Sequence, residues 1–233
     1  MPRKYTIRYR EALEPIREPV TKFGGRPAWI AEPQWPVSHL YGRPMHFVCQ
    51  IVLEPALFGE LPTRMAYLFL TDWDGASVFP ETMEPDAGEN AVILQPGGTW
   101  VGECLPLSDG PGIYRRAWRN ERWEQTPCEL AVELHPGEDP DIGVWDEVDS
   151  DNERAWAAYF AALYEDKIGG TPVPTPFGSR FEAGPDRWRL LLQLSAKDND
   201  QDGDPFFLNL AYDGVGYAFL SPDGRGGKFL WNR

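Results

Sequence analysis

Apolar residues in this chain gather in runs of about four to eight, bounded by Gly, Pro and Asp. Runs at about 45–52, 65–71, 91–95, 128–134, 188–195, 206–212 and 216–221 predict strands. With 23 Gly and 23 Pro scattered among them, long helices have little room. One helix is signalled nonetheless. Ser150 and Glu153 form a capping box, Trp156, Phe160, Leu163 and Ile168 approximate a buried stripe, and Gly169 supplies the stop. A shorter counterpart ahead of Gly24 is interrupted by Pro15 and Pro19. The pattern predicts an α+β fold, strand-rich, with antiparallel or mixed sheets and few helices.

The runs also repeat. Lys22-Phe23-Gly24-Gly25-Arg26-Pro27 is echoed by Lys167-Ile168-Gly169-Gly170-Thr171-Pro172, and Phe47-Val48-Cys49-Gln50-Ile51 by Leu191-Leu192-Gln193-Leu194. Further on, Tyr67-Leu68-Phe69-Leu70 is matched by Tyr217-Ala218-Phe219-Leu220. Gly24 to Gly169, Gln50 to Gln193 and Tyr67 to Tyr217 are 145, 143 and 150 residues apart. Three matches in one order at a near-constant offset predict two related β-rich halves, an internal duplication. The expected organisation is an N-terminal half over 1–149 and a C-terminal half over 150–233 introduced by the helix, the two forming one compact domain.

Composition narrows the function. The 233 residues are 42% hydrophobic and 13% aromatic, ample for a core. Lys and Arg number 22 against 36 Asp and Glu, and the formal net charge of −14 has the wrong sign for gripping nucleic-acid phosphates. Three widely spaced cysteines, Cys49, Cys104 and Cys128, suit reduced thiols better than a disulfide framework or a zinc knuckle. The first ten residues carry charges where a signal peptide needs an apolar stretch. The longest apolar run, Met65 to Leu70, is six residues, where a membrane span needs ~20. A cytoplasmic protein with no membrane segment and no nucleic-acid partner is expected.

The ordered motifs Lys22 to Pro27, Trp35-Pro36, Gly42 to Ile51 and Tyr67 to Leu70 resemble the YwqG-like family, a bacterial domain of unknown function. Leu192-Gln193-Leu194, Gly203-Asp204, Gly214 to Leu220 and Gly224 are similar to its C-terminal half, so the resemblance covers roughly Thr21 to the end. It implies no established activity. The family's occurrence near polymorphic-toxin genes implies a toxin-neutralising role. The chain departs from the family pattern after Gln193, where its acidic loop is unusually regular.

That loop places Asp198, Asp200, Asp202 and Asp204 around Gly203, as the first half of a calcium loop does to converge oxygens on a hard cation. The second half fails, with Pro205 at the eighth position and Asn209 at the twelfth, where a bidentate Glu is required. A weak calcium site and a solvated acidic turn both fit it. No other cofactor is implied. A second run, Glu138 to Glu153, holds eight acids and no base. Its Glu138, Asp139, Asp141, Asp146, Glu147 and Asp149 form a candidate surface for a basic protein partner, although acids also suit the start of a helix.

Candidates for catalysis are few. His39, His46 and His135 are the histidines, and His46 with Cys49 invites a thiol-protease reading. Three-residue spacing on a strand sends that pair to opposite faces. No paired-histidine metal motif or Gly-x-Ser-x-Gly elbow occurs. Gly224 to Lys228 and Gln95 to Thr99 read as turns, the first with no following helix and the second without a phosphate-loop lysine. An enzyme is not favoured.

Gln50 and Gln193 occupy matching places in apolar runs, where a buried amide needs partners. They either tie their strands to nearby loops or face a ligand cleft, and in the second case Trp35 joins them as a wall. Trp29, Trp35, Trp73, Trp100, Trp118 and Trp123 offer aromatic surface for a cleft or a protein interface. The expected function is an immunity-type binding protein that neutralises a basic toxin through its acidic surface. The alternative is a small-molecule or carbohydrate-binding module with an aromatic cleft between the halves.

Overall fold

Tyr5, Ile7 and Tyr9 alternate inward along β1 (Arg3–Glu11), while Arg8 and Arg10 face solvent. The predicted runs omit this strand, because its charged residues dilute the apolar signal. The computed structural model describes residues 1–73, 75, 78–140, 153–173, 188–197, 204–211 and 214–232. After β1 come β2 (Lys22–Gly24), β3 (Trp35–Pro36), β4 (His46–Val52), a single-turn α1 (Pro55–Phe58), β5 (Met65–Leu70) and β6 (Asn90–Gln95). Next are β7 (Cys104–Leu105), β8 (Tyr114–Arg119), β9 (Arg122–Pro127), β10 (Glu129–Glu138) and α2 (Glu153–Leu163). The chain closes with β11 (Lys167–Gly169), β12 (Arg189–Ser195), β13 (Val215–Leu220) and β14 (Gly227–Asn232). The described residues are therefore strand-rich with two helices, and every paired strand among them is antiparallel.

Ten strands form one sheet in the order β14-β13-β12-β11-β1-β10-β2-β4-β5-β6, and β3 with β7 and β8 with β9 pair separately. Its centre is the ladder of β1 with β10, from Arg3 opposite Glu138 to Glu11 opposite Leu130. A four-stranded wing stands on each side, β2-β4-β5-β6 against β10 and β11-β12-β13-β14 against β1. The strand that precedes each wing in the chain thus hydrogen-bonds to the other wing. The sheet runs through both expected halves, and the expected boundary at 149/150 lies outside the described residues.

One apolar cluster draws on all ten strands, from Ile7, Phe23 and Cys49 to Leu192, Ala218 and Phe229. A sheet can surround one cluster with every strand only by rolling up. Its edges do meet: a Cβ added to Gly227 of β14 would lie 2.4 Å from Val92 Cγ1 of β6. Nearby, the Thr99 amide donates to Arg225 O at 2.8 Å and Thr63 Oγ1 to Gly224 O at 2.7 Å. The outer face of the first wing is covered by Trp35, Phe47, Tyr67 and Phe69. That of the second carries Tyr217, Phe219 and Leu230 beneath Tyr159 and Leu163 of α2.

Three expectations are corrected here. The helix ends at Leu163, so Ile168 and Gly169 belong to β11, and Phe160 is exposed while Tyr159 and Leu163 are buried. The Leu163 carbonyl is taken by Lys167 Nζ and Gln193 Nε2, which satisfies the helix end six residues before the expected stop. Ser150 lies outside the described residues. The predicted strand at 206–212 is a single bridge, Lys197 to Leu208, although Phe206, Leu208 and Leu210 do alternate inward. The third concerns β4, whose register shifts between Phe47 and Cys49. This bulge turns both Val48 and Cys49 into the inner core, so simple alternation does not separate His46 from Cys49. Among the described residues no helix is long and apolar enough to cross a membrane.

Candidate functional site

Phe206 and Phe207 show how local chain geometry builds the site. Phe206 is fully buried, its ring 5.7 Å from Phe23 and 5.5 Å from Tyr9, so its neighbour Phe207 must point the other way. The Phe207 amide donates to Tyr114 O at 2.8 Å, and Arg115 Nε donates to Pro205 O at 3.0 Å, pinning this segment along β8. Phe207 therefore lies beside Tyr114, with centroids 5.6 Å apart. Arg116 stacks over both Phe207 (3.8 Å) and Trp123 (4.4 Å), which fixes its planar fork between two rings. Across from them Trp73 stacks on Phe79 at 4.3 Å.

These side chains enclose an open groove of about 530 Å³, lined by Asp72, Trp73, Tyr114, Arg116, Trp123, Gln125, Lys197, Phe207 and Asn209. Trp73 and Trp123 line it while remaining 38% and 43% exposed. Lys197 is committed elsewhere, to Asp166 at 2.8 Å and to Ser195. Behind the groove a recess of about 40 Å³ is lined by His46, Thr71, Asp72, Tyr114 and Asn209 together with Val48, Leu70 and Ile113. Tyr114 donates to Asp72 Oδ2 at 2.8 Å, and burial followed by that carboxylate pushes the phenol's pKa far up. His46 Nδ1 lies 3.1 Å from Gly112 O; a carbonyl only accepts, so Nδ1 carries the proton and Nε2 is an acceptor. Burial lowers the imidazole's pKa, outweighing the opposing pull of Asp72, which keeps it neutral at pH 7. Thr71 is 6% exposed, and its Oγ1 has no hydrogen-bond partner among the described residues.

The residues expected to form a site lie elsewhere. Gln50 Oε1 accepts from the Ala28 amide at 2.7 Å while Nε2 donates to Val20 O at 2.7 Å and Glu18 O at 3.3 Å. Gln193 Oε1 accepts from the Val173 amide at 2.7 Å while Nε2 donates to Leu163 O and Glu165 O, both at 2.9 Å. Both amides are consumed by backbone, so they tie strands to loops and do not wall a cleft. Trp35 is fully buried and donates to Met45 O at 2.8 Å. It belongs to the first wing's core.

The acidic surface changes too. Glu138 ends β10 in the open, but Asp139 is fully buried between Lys4 at 2.6 Å and Lys167 at 2.7 Å, and accepts from the Thr171 amide at 2.9 Å. A carboxylate so enclosed meets no partner. Asp141, Asp146, Glu147 and Asp149 lie outside the described residues, as do Asp198, Asp200 and Asp202 of the calcium-like loop. Asp204 is half-buried, and among the described residues no group of three or more His, Cys, Asp and Glu is placed to hold a metal ion. The buried Cys49 thiol has its pKa pushed far up by desolvation, which removes any thiolate for His46 to serve.

Of the groove residues, sequence reasoning singled out Trp73, Trp123 and His46. It missed Thr71, Asp72, Tyr114, Arg116, Phe207 and Asn209. The available signal was the alternation of Tyr114, Arg116 and Trp118 with Trp123 and Gln125 on the return strand. No protein-family model matches the chain, and no curated protein matches it.

Proposed function

We propose that the protein is a small-molecule-binding module whose ligand lies in the groove between Trp73 and Trp123. The observation that carries this reading is the convergence of four aromatic side chains, Trp73, Tyr114, Trp123 and Phe207, with Asp72, Arg116, Gln125 and Asn209 around one concave volume. Aromatic walls with a few polar groups are the usual make-up of a ligand site. The residues come from both sequence halves, in keeping with a cleft where they meet. A cytoplasmic location accompanies the proposal, supported by the free cysteines. A thermal-shift screen of metabolites tests it: a ligand that raises the melting temperature of the native chain should lose that effect in Trp123→Ala. An unchanged shift in the variant would place the ligand elsewhere and overturn the reading.

A second reading, neutralisation of a basic toxin, is favoured by the net charge of −14 and by the implied YwqG-like kinship. It expects a basic protein that co-purifies at low salt and is released at moderate salt. Binding that ignores salt and charge reversal across 138–153 would sink it.

We also infer that the two wings descend from one duplicated unit. Supporting this, Lys22 stands opposite Gln50 and Lys167 opposite Gln193 in their ladders. Each lysine is buried on a carboxylate, Glu129 or Asp139, which lies where a Cβ on Gly25 or Gly170 would fall. Tyr67 and Tyr217 donate to Ala28 O and Val173 O, both at 2.9 Å. A bulge precedes each glutamine, at Val48 and at Leu191.

A further inference from the structure

We propose that a second cavity, across the Trp73–Phe79 stack from the groove, seats a bulky apolar side chain of a basic protein partner. This rests on the second reading, in which the partner is a basic protein, and gives it a docking place apart from 138–153. Trp73 lines the groove and Phe79 lines the cavity, so the stacked pair divides the two. The cavity, of about 350 Å³, is walled by Leu40, Val78, Phe79 and Ala87 with Glu81, Glu89 and His39.

Two segments distant in the chain are locked together around it. The His39 amide donates to Gly88 O at 3.1 Å and the Leu40 amide to Glu89 Oε1 at 2.7 Å. Ser38 Oγ donates to Glu89 Oε2 at 2.7 Å, and the Tyr41 hydroxyl to Val78 O at 2.9 Å. These bonds hold the walls in place, yet Leu40, Val78 and Phe79 stay 43%, 55% and 63% exposed. Large apolar side chains left open around one hollow mark an interaction site, because a partner's side chain seated there withdraws them from water.

The sign of the charge selects the occupant. Residues 78–89 carry Glu81, Glu84, Asp86 and Glu89 and no Lys, Arg or His. Lys228 answers Asp86. Glu89 is bonded by a hydroxyl and an amide, neither of them a cation, and Glu81 is exposed with no ion pair among the described residues. Two carboxylates without a cationic partner thus border the apolar walls, in a chain of net charge −14. Lysines and arginines flanking the seated side chain fit that rim. A second copy, an anionic bilayer and an acidic peptide all carry the wrong sign.

The test pans random dodecapeptides displayed on phage against the full chain and measures the enriched peptides by fluorescence anisotropy at low and moderate salt. Expected are sequences in which Phe, Leu, Ile or Met sits among Lys and Arg, with about ten-fold weaker binding when that residue becomes alanine. Phe79→Ala should erase that difference, and Glu81→Lys should weaken binding most at low salt. Both positions are exposed, so both variants should melt as the native chain does. Trp123→Ala, in the groove, should leave peptide binding unchanged. Failure to enrich any peptide would overturn the proposal, as would self-association lost in Phe79→Ala, which would give the face to a second copy. Enriched sequences without net positive charge would sink both the proposal and the second reading. Basic sequences that bind Phe79→Ala as tightly as the native chain would leave the second reading standing and remove only the cavity.

Discussion

His46 holds a neutral ring in a desolvated place, and the folded state therefore resists its protonation. As pH falls through about 6.5, the ordinary histidine range, the unfolded chain takes up a proton that the folded chain does not. The sign follows: this contribution is absent above that range and lowers stability progressively below it. Urea denaturation between pH 7.5 and 5.5 should show a steeper loss for the native chain than for His46→Gln, and equal slopes would refute the assignment. Lys167 makes a second point at this scale. It is fully buried and bonded to Asp139 and to Leu163 O, and burial lowers its pKa. Lys167→Met should cost about 3–5 kcal/mol in chemical denaturation by stranding part of the Asp139 charge. Adding Asp139→Asn should recover some of that loss, because the two residues form one network. Neither environment was legible in the sequence, where Asp139 sat in an acidic run and read as surface.

Among the elements, the β8–β9 hairpin is a strand pair whose turn is written with an unfavourable residue. Asn120 and Glu121 both adopt positive φ, 50° and 60°, the conformation of a two-residue hairpin turn. Asparagine tolerates it; glutamate does so poorly. Glu121→Gly should therefore stabilise the chain by about 0.5–1 kcal/mol in urea denaturation, with no change in the slope. The hairpin also shows how far pattern reading reaches. Its alternation is present, but arginines fill the alternate places and the apolar-run criterion passes over it, as it passes over β1. Runs that are buried on both faces, such as β5 and β12, stand out at once. Residues 206–210 illustrate the converse, since they alternate inward yet form no ladder beyond one bridge.

At the scale of the molecule, the seam where β6 meets β14 decides whether the sheet stays rolled. Gly227→Ala would place a methyl 2.4 Å from Val92 Cγ1 and 3.1 Å from Val92 O. It should destabilise by about 1–3 kcal/mol, as overpacking does, and lower the melting temperature. Val92→Ala in that background should restore part of the loss; strictly additive effects would mean that the strands do not press on each other. The groove depends on the same long-range arrangement, for its walls come from Asp72 and Trp73, from Tyr114, Arg116, Trp123 and Gln125, and from Phe207 and Asn209.

The sequence by itself determined where most strands and turns form, the net charge of −14 and the presence of tryptophans that suit a cleft. Those properties follow from neighbours a few residues apart, whose apolar runs and turn residues act locally. Only the tertiary structure decided that Gln50, Gln193 and Trp35 serve the wings, that Asp139 is buried, and that Thr71 and Asp72 share a recess with Tyr114. Each of these depends on which strand pairs with which and on the closure of the sheet. Sequence spacing does not encode such contacts, because they arise only when chain segments far apart exclude water together.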